Sequence, residues 1–282
     1  MNAAELRARL PHPVIDSDGH WIESLPVLLD YLRDTAGPTY AQDLEVQLKN
    51  SGAFAWYDAT PAERMHRRLR RETWWGAPSD TYTRATVMMP KLLYHRMDEL
   101  GLDFAMIYTS IGLTFGVLPN DLQRSVYRAY NRMAAELFAP YADRFAPVAI
   151  VSTTTPAEAI EEAEYAVKTL GMKGIMVRGT LPRPVPALAD AKPRPPFYID
   201  SLGLDNTQDY DPFWAKCIEL GVAVTAHGGS PWPDRQSVTN YSFNHIGHFA
   251  QANQVFAKGV FLGGVTRRFP KLNFAFLEGG AG

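Results

Sequence analysis

Three apolar runs in this chain begin directly behind, or within two residues of, a glycine that closes an amphipathic segment, at Gly101, Gly171 and Gly221. A glycine in that place stops a helix by taking the left-handed conformation, so the run behind it starts a new element. Short β-branched or apolar runs alternating with amphipathic segments are the pattern of βα units built on a parallel sheet. Six candidate strands follow, at 13–18, 103–109, 145–151, 173–178, 221–227 and 272–278. Helices are expected over 92–100, 121–138, 156–170 and 211–220. The third carries Ala159, Ile160, Ala163, Ala166, Val167 and Leu170 on one face and opens on proline and acidic residues.

Two stretches break this rhythm. Residues 33–90 are far longer than a βα loop and read as a helical insertion or lid within a single domain. They hold Arg64, Arg67, Arg68, Arg70 and Arg71, with Trp74 and Trp75 behind them. A solvated helix face explains this basic run better than an anion site does. Residues 179–209 contain Pro182, Pro184, Pro186, Pro193, Pro195 and Pro196 and are expected to lack regular structure. Because they follow a strand, they belong on the face where α/β proteins carry their chemistry.

A chain of 282 residues, 46% apolar, can bury a core of barrel size. The balance of 28 Lys and Arg against 30 Asp and Glu leaves no electrostatic footprint for nucleic acid or an anionic membrane. Cys217 is the single cysteine, so no internal disulfide forms, which fits a reducing compartment. No window approaches the ~18 apolar residues of a membrane span. The expectation is a soluble cytoplasmic protein acting on a small molecule.

The chemistry-bearing residues gather at strand ends. Asp18 and His20 are two apart, so an extended backbone turns both side chains to one face, where an oxygen and a nitrogen donor suit zinc or manganese. Standing alone, such a pair reads as a structural hydrogen bond. His227 shifts the balance: it ends an apolar strand and is followed by Gly228, Gly229 and Ser230. On a barrel, both strand ends lie on one rim. Glu278 also ends a strand and suits acid/base work, hydrogen bonding or plain exposure. Arg178 could clamp a substrate carboxylate, with a rim salt bridge as the alternative. His245 and His248 share a face of a helix expected over 241–257; His248 is taken as the substrate-binding candidate against a capping or surface role. Trp21 and Trp56 could wall an aromatic pocket or pack a core or lid.

At these residues the sequence resembles the amidohydrolase-related group of metal-dependent hydrolases and decarboxylases. The resemblance runs through Val14-Ile15-Asp16-Ser17-Asp18-Gly19-His20-Trp21-Ile22-Glu23, Arg96-Met97-Asp98-Glu99-Leu100-Gly101-Leu102-Asp103 and Thr225-Ala226-His227-Gly228-Gly229. It continues in Phe269-Pro270-Lys271-Leu272 and Phe276-Leu277-Glu278-Gly279-Gly280. It implies a (β/α)8 barrel of the TIM type with one divalent ion, zinc or manganese, held by Asp18, His20 and His227. It also implies a further aspartate ligand after the eighth strand. At Glu278 the sequence departs from the family's decarboxylases, which place a histidine there. The resulting expectation is a metal-dependent hydrolase of a small carbonyl- or carboxylate-bearing compound. The alternatives are a non-oxidative decarboxylase of an aromatic or cyclic acid, and an inactive ligand-binding barrel. A homodimer is also expected. Six strands where eight are needed lead us to expect a barrel incomplete at its C-terminal side.

Overall fold

The computed structural model describes residues 1–50, 52–71, 79–192, 195–229 and 237–280. Trp74, Trp75, Pro193 and Ser230 lie outside the described residues. The strands are β1 (Ile15–Trp21), β2 (Phe104–Thr109), β3 (Phe145–Ile150), β4 (Gly174–Val177), β5 (Leu181–Pro184), β6 (Phe197–Asp200), β7 (Val224–Ala226) and β8 (Phe274–Phe276). Hydrogen bonding joins six of them in the order β1-β2-β3-β4-β7-β8, and β5 with β6. The pairs β1/β2, β2/β3 and β7/β8 are parallel. All six expected strands are therefore present, in the succession of an incomplete α/β barrel. Helices Pro90–Leu100 and Asp211–Leu220 end on Gly101 and Gly221, at φ 72° and 69°, as the sequence predicts.

The chain divides into two units, and the division falls inside β4. The first comprises Met1–Asn50, Thr73–Ile150 and Glu164–Ile175. Its core is aromatic: Phe138 takes the edges of both Trp21 and Phe145, with ring centroids 5.3 and 5.5 Å apart. Helix Asn120–Phe138 buries this face and sends in Asn131, whose amide donates to the Ile150 carbonyl (2.9 Å) while its oxygen accepts from the Ile150 amide (2.8 Å). A side chain thus stands in for a neighbouring strand at the end of β3.

The second unit comprises Ser51–Glu72, Val151–Ala163 and Met176–Gly282. Phe213, Trp214, Phe256 and Cys217 are fully buried in it, and burial pushes the Cys217 thiol up to about 12, which makes it an inert core group. Three expectations are corrected here. The proline-rich stretch does form regular structure, the antiparallel pair β5/β6. Prolines 182 and 184 alternate with Leu181, Arg183 and Val185, so the missing N–H groups fall on the outward side of a two-stranded ladder, and the Val185 amide still donates to the Pro196 carbonyl (2.9 Å). The helix expected over 241–257 is two helices, Tyr241–His245 and His248–Leu262, broken at Gly247 with φ 81°. The segment expected as one helix over 156–170 runs as an α-helix only over Pro156–Glu164 and finishes in a wide π turn, Tyr165–Thr169.

Within the second unit, residues 52–71 pack on the segment that starts at Ser237. The Trp56 indole donates to the Val238 carbonyl (2.7 Å), the Arg71 amide to the Ser237 carbonyl (3.2 Å), and the Asn244 amide group to the Arg71 carbonyl (2.7 Å). Arg64 lies over the Trp56 ring at 3.7 Å and Arg71 at 5.0 Å, so these two arginines serve packing, while Arg67 and Arg68 are exposed. Among the described residues, no helix is long and apolar enough to cross a membrane.

Candidate metal and proton-transfer site

In the first unit, β1 carries Asp18 and His20. Its pairing with β2 shifts register between Asp16 and Gly19, and the Asp18 amide donates to the Asp16 carboxylate (3.0 Å). This bulge re-aims the strand end, as bulges beside functional sites do. The two side chains still converge, with His20 Nε2 3.7 Å from Asp18 Oδ1. His20 Nδ1 lies 2.9 Å from the Thr109 carbonyl oxygen. A carbonyl only accepts, so Nδ1 carries the proton and Nε2 is the ring's donor atom for a metal. Burial holds the imidazole below its ordinary value, against smaller opposing effects of that hydrogen bond and of Asp16. A neutral imidazole is the form that ligates.

In the second unit, His227 follows β7 with 1% of its surface exposed, and its amide donates to the Val177 carbonyl (3.1 Å). Its Nε2 lies 3.7 Å from one oxygen of Glu278, and the other oxygen lies 3.8 Å from His245 Nε2. The Glu278 side chain is 36% exposed, and the burial of its remainder raises its carboxyl above the ordinary value. Its backbone is left-handed at φ 52°, a conformation costly for a residue with a β-carbon. The Leu277 amide donates to the Ala226 carbonyl (3.0 Å), and Asn253 donates to the Leu277 carbonyl (2.6 Å), so both flanks of β8's end are held.

Arg178 directly follows β4 and crosses Gly228, where a β-carbon would come within 3.0 Å of the Arg178 Cγ. The glycine after His227 is therefore needed for the arginine to lie beside it. His248 is buried against the Phe249 ring, with centroids 3.8 Å apart, and 5.5 Å from the His245 ring. His245 rather than His248 faces Glu278, because the break at Gly247 puts the two histidines on different helices. The sequence offered no local signal for that choice beyond the glycine itself. Glu23, quoted only as part of a motif, is a buried carboxylate bonded to the end of β2.

Each unit thus brings one imidazole and one carboxylate together, Asp18 with His20 in the first and His227 with Glu278 in the second. A carboxylate beside a neutral imidazole fixed in tautomer, as at Asp18 and His20, is donor chemistry that fits a divalent zinc or manganese.

Parallel βα units with carboxylate and imidazole side chains at their strand ends define a protein of the α/β-barrel class, here incomplete. A family profile described as amidohydrolase matches residues 15–282. The chain belongs to the amidohydrolase family. Gamma-resorcylate decarboxylase from Rhizobium sp. (strain MTP-10005) is 26% identical over 160 residues, 56% of this chain and 45% of that protein. Among solved structures, an amidohydrolase from Mycobacterium avium subsp. paratuberculosis K-10 matches with a TM-score of 0.58 and 19% identity, over 96% of this chain and 73% of that one. A dihydroxybenzoic acid decarboxylase from Polaromonas sp. JS666, with bound manganese and the inhibitor 2-nitroresorcinol, matches with a TM-score of 0.56 and 19% identity, over 93% and 64%. At these identities the structural likenesses establish the fold. The chain spans about half the length of the curated relative that it matches.

Proposed function

We propose that this protein is a metal-dependent, non-oxidative decarboxylase of a hydroxylated aromatic acid. The relationship to gamma-resorcylate decarboxylase carries this reading and favours it over the hydrolase that the sequence first suggested. The site chemistry points the same way. Decarboxylation needs a proton donor at carbon, and burial biases the Glu278 carboxyl toward its protonated form. Asp18, His20 and His227 would hold one zinc or manganese ion, and the bound ion would supply a positive centre for the substrate's oxygen atoms.

The chain's own groups then divide the work. Arg178, beside the His227–Gly228 turn, orients the carboxylate that is to be lost. Glu278 delivers a proton to the ring carbon as the bond to the carboxyl group breaks, and carbon dioxide leaves. His245, 3.8 Å from Glu278 and partly exposed, relays a replacement proton from solvent to it. The buried His248 and Phe249 rings supply an aromatic wall.

The test is incubation of manganese-loaded protein with 2,6-dihydroxybenzoate and, separately, with a panel of esters, lactones and thioesters. The expected result is carbon dioxide and resorcinol from the first and nothing from the second. Acid production from the panel without carbon dioxide release would return the reading to hydrolysis. Inactivity on both by metal-replete protein would favour a ligand-binding barrel.

A further inference from the structure

Glu23 sits three residues past His20, is 2% exposed, and belongs to no chemistry described so far. Burying a carboxylate is costly unless its oxygens are fully engaged. Here they accept from the Thr109 hydroxyl and from the Ser110 (3.1 Å) and Ile111 (2.8 Å) amides, with the Gly112 amide at 3.5 Å. Those amides are the first N–H groups of the short 3-10 helix Ile111–Val117 and of the residue before it. A cap for such a turn ordinarily comes from a serine, threonine or aspartate at its own start. In this protein it comes from the far side of a strand pair, 86 residues away from Thr109.

What the arrangement fixes is Thr109. Its hydroxyl donates to Glu23 and accepts from the Gly112 amide (2.8 Å), and its backbone is in register with Trp21 of β1. Its carbonyl is the group that receives the His20 Nδ1 proton (2.9 Å), while the Ser110 hydroxyl stands farther off, at 3.5 Å. A rotation of the peptide after Thr109 would remove the carbonyl that selects this tautomer. The amides of that peptide and the next are the ones tied to Glu23.

We infer that Glu23 is a positioning residue: through Thr109 it fixes the ring orientation and the Nδ1–H tautomer of His20, and so prepares Nε2 to bind a divalent metal. The metal half of this inference rests on the proposed role of His20 as a ligand; the tautomer half does not. Partners that orient ligating histidines typically change metal affinity by ~10- to 100-fold when removed.

The test uses the full chain with Glu23→Gln, which preserves shape but turns an amide N–H₂ toward backbone donors. Nitrogen NMR of the metal-free protein at a pH where His20 is neutral reports its tautomer, and titration with manganese reports affinity. Expected are a mixed tautomer and manganese binding weakened by ~10-fold or more, with unchanged circular dichroism. Should Glu23→Gln fail to fold, Thr109→Val removes the hydroxyl and with it the links to Glu23 and the Gly112 amide, and is expected to shift the tautomer in the same direction. A folded Glu23→Gln protein that keeps a pure Nδ1–H tautomer overturns the inference, as does unaltered tautomer in Thr109→Val. His20→Ala separates the two halves: if it keeps full manganese affinity while Glu23→Gln still mixes the tautomer, the ligand reading fails and the positioning role stands.

Discussion

Glu278 is held in a left-handed backbone at φ 52°, and replacing it with glycine should make the protein more stable while removing its activity. The conformation costs about 1–2 kcal/mol for a residue with a β-carbon. Glycine escapes that cost but brings extra freedom to the unfolded chain, worth roughly 0.5–1 kcal/mol in the opposite sense. Glu278→Ala loses the same carboxyl and the same neighbours, His227 and His245, and keeps the β-carbon. The comparison of Gly with Ala therefore isolates the backbone, and Gly should be more stable by about 0.5–1 kcal/mol. Urea unfolding of the two variants, followed by tryptophan fluorescence, measures this as a difference in midpoint at equal slope. Both variants should fail to release carbon dioxide from 2,6-dihydroxybenzoate. A Gly variant less stable than the Ala variant would refute the claim that strain is stored at this position. A Gly variant that is more stable and still fully active would show that the strain has nothing to do with catalysis.

Other outcomes can be stated briefly. His227→Ala should lose its divalent metal and stay folded, checked by elemental analysis and circular dichroism; full retention of metal removes His227 from the site. His20 is held below the ordinary 6.5 in the folded protein, so the unfolded chain binds the proton first on acidification. Its contribution to stability is present above that value and is lost as the pH falls toward the folded one, and metal-free His20→Gln should lose less stability than wild type between pH 7 and 5 in urea titrations. Arg183 pairs with Asp200, whose side chain is fully buried, and also donates to the Thr154 carbonyl (3.0 Å) and the Tyr210 hydroxyl (2.6 Å). Arg183→Met should therefore cost about 3–5 kcal/mol, and adding Asp200→Leu should recover part of it; strictly additive losses in the double variant would refute the pairing.

The parts of the fold that were legible in the sequence are those set by local chemistry. Glycine stops and β-branched runs located all six sheet strands, because a left-handed helix end and a two-residue period are properties of the few residues that make them. The pair β5/β6 was missed because proline density argues against strands in general, whereas only the side of the ladder on which each proline falls decides the matter. At the site, Asp18 and His20 could be paired from their spacing, and the structure keeps them together despite a bulge that spacing does not reveal. The choice between His245 and His248 turned on whether Gly247 interrupts a helix, which the surrounding packing decides. Glu23 was beyond reach for a different reason. Its partners at 109–112 are a long-range arrangement, and a glutamate near a strand end normally reads as solvated.

The Trp56 contact ties a helix beside Glu278 to a distant stretch of sequence. The Tyr241–His245 helix that presents His245 to Glu278 begins just after the backbone segment that Trp56 and Arg71 hold, and Asn244 reaches back to Arg71. Residues 52–71 and 237–245 are thus one packed piece carried on two distant stretches of sequence. Replacing 237–245 alone would leave the Trp56 indole and both the amide and the carbonyl of Arg71 without these partners. Recombination at this place should give folded protein only when both stretches travel together.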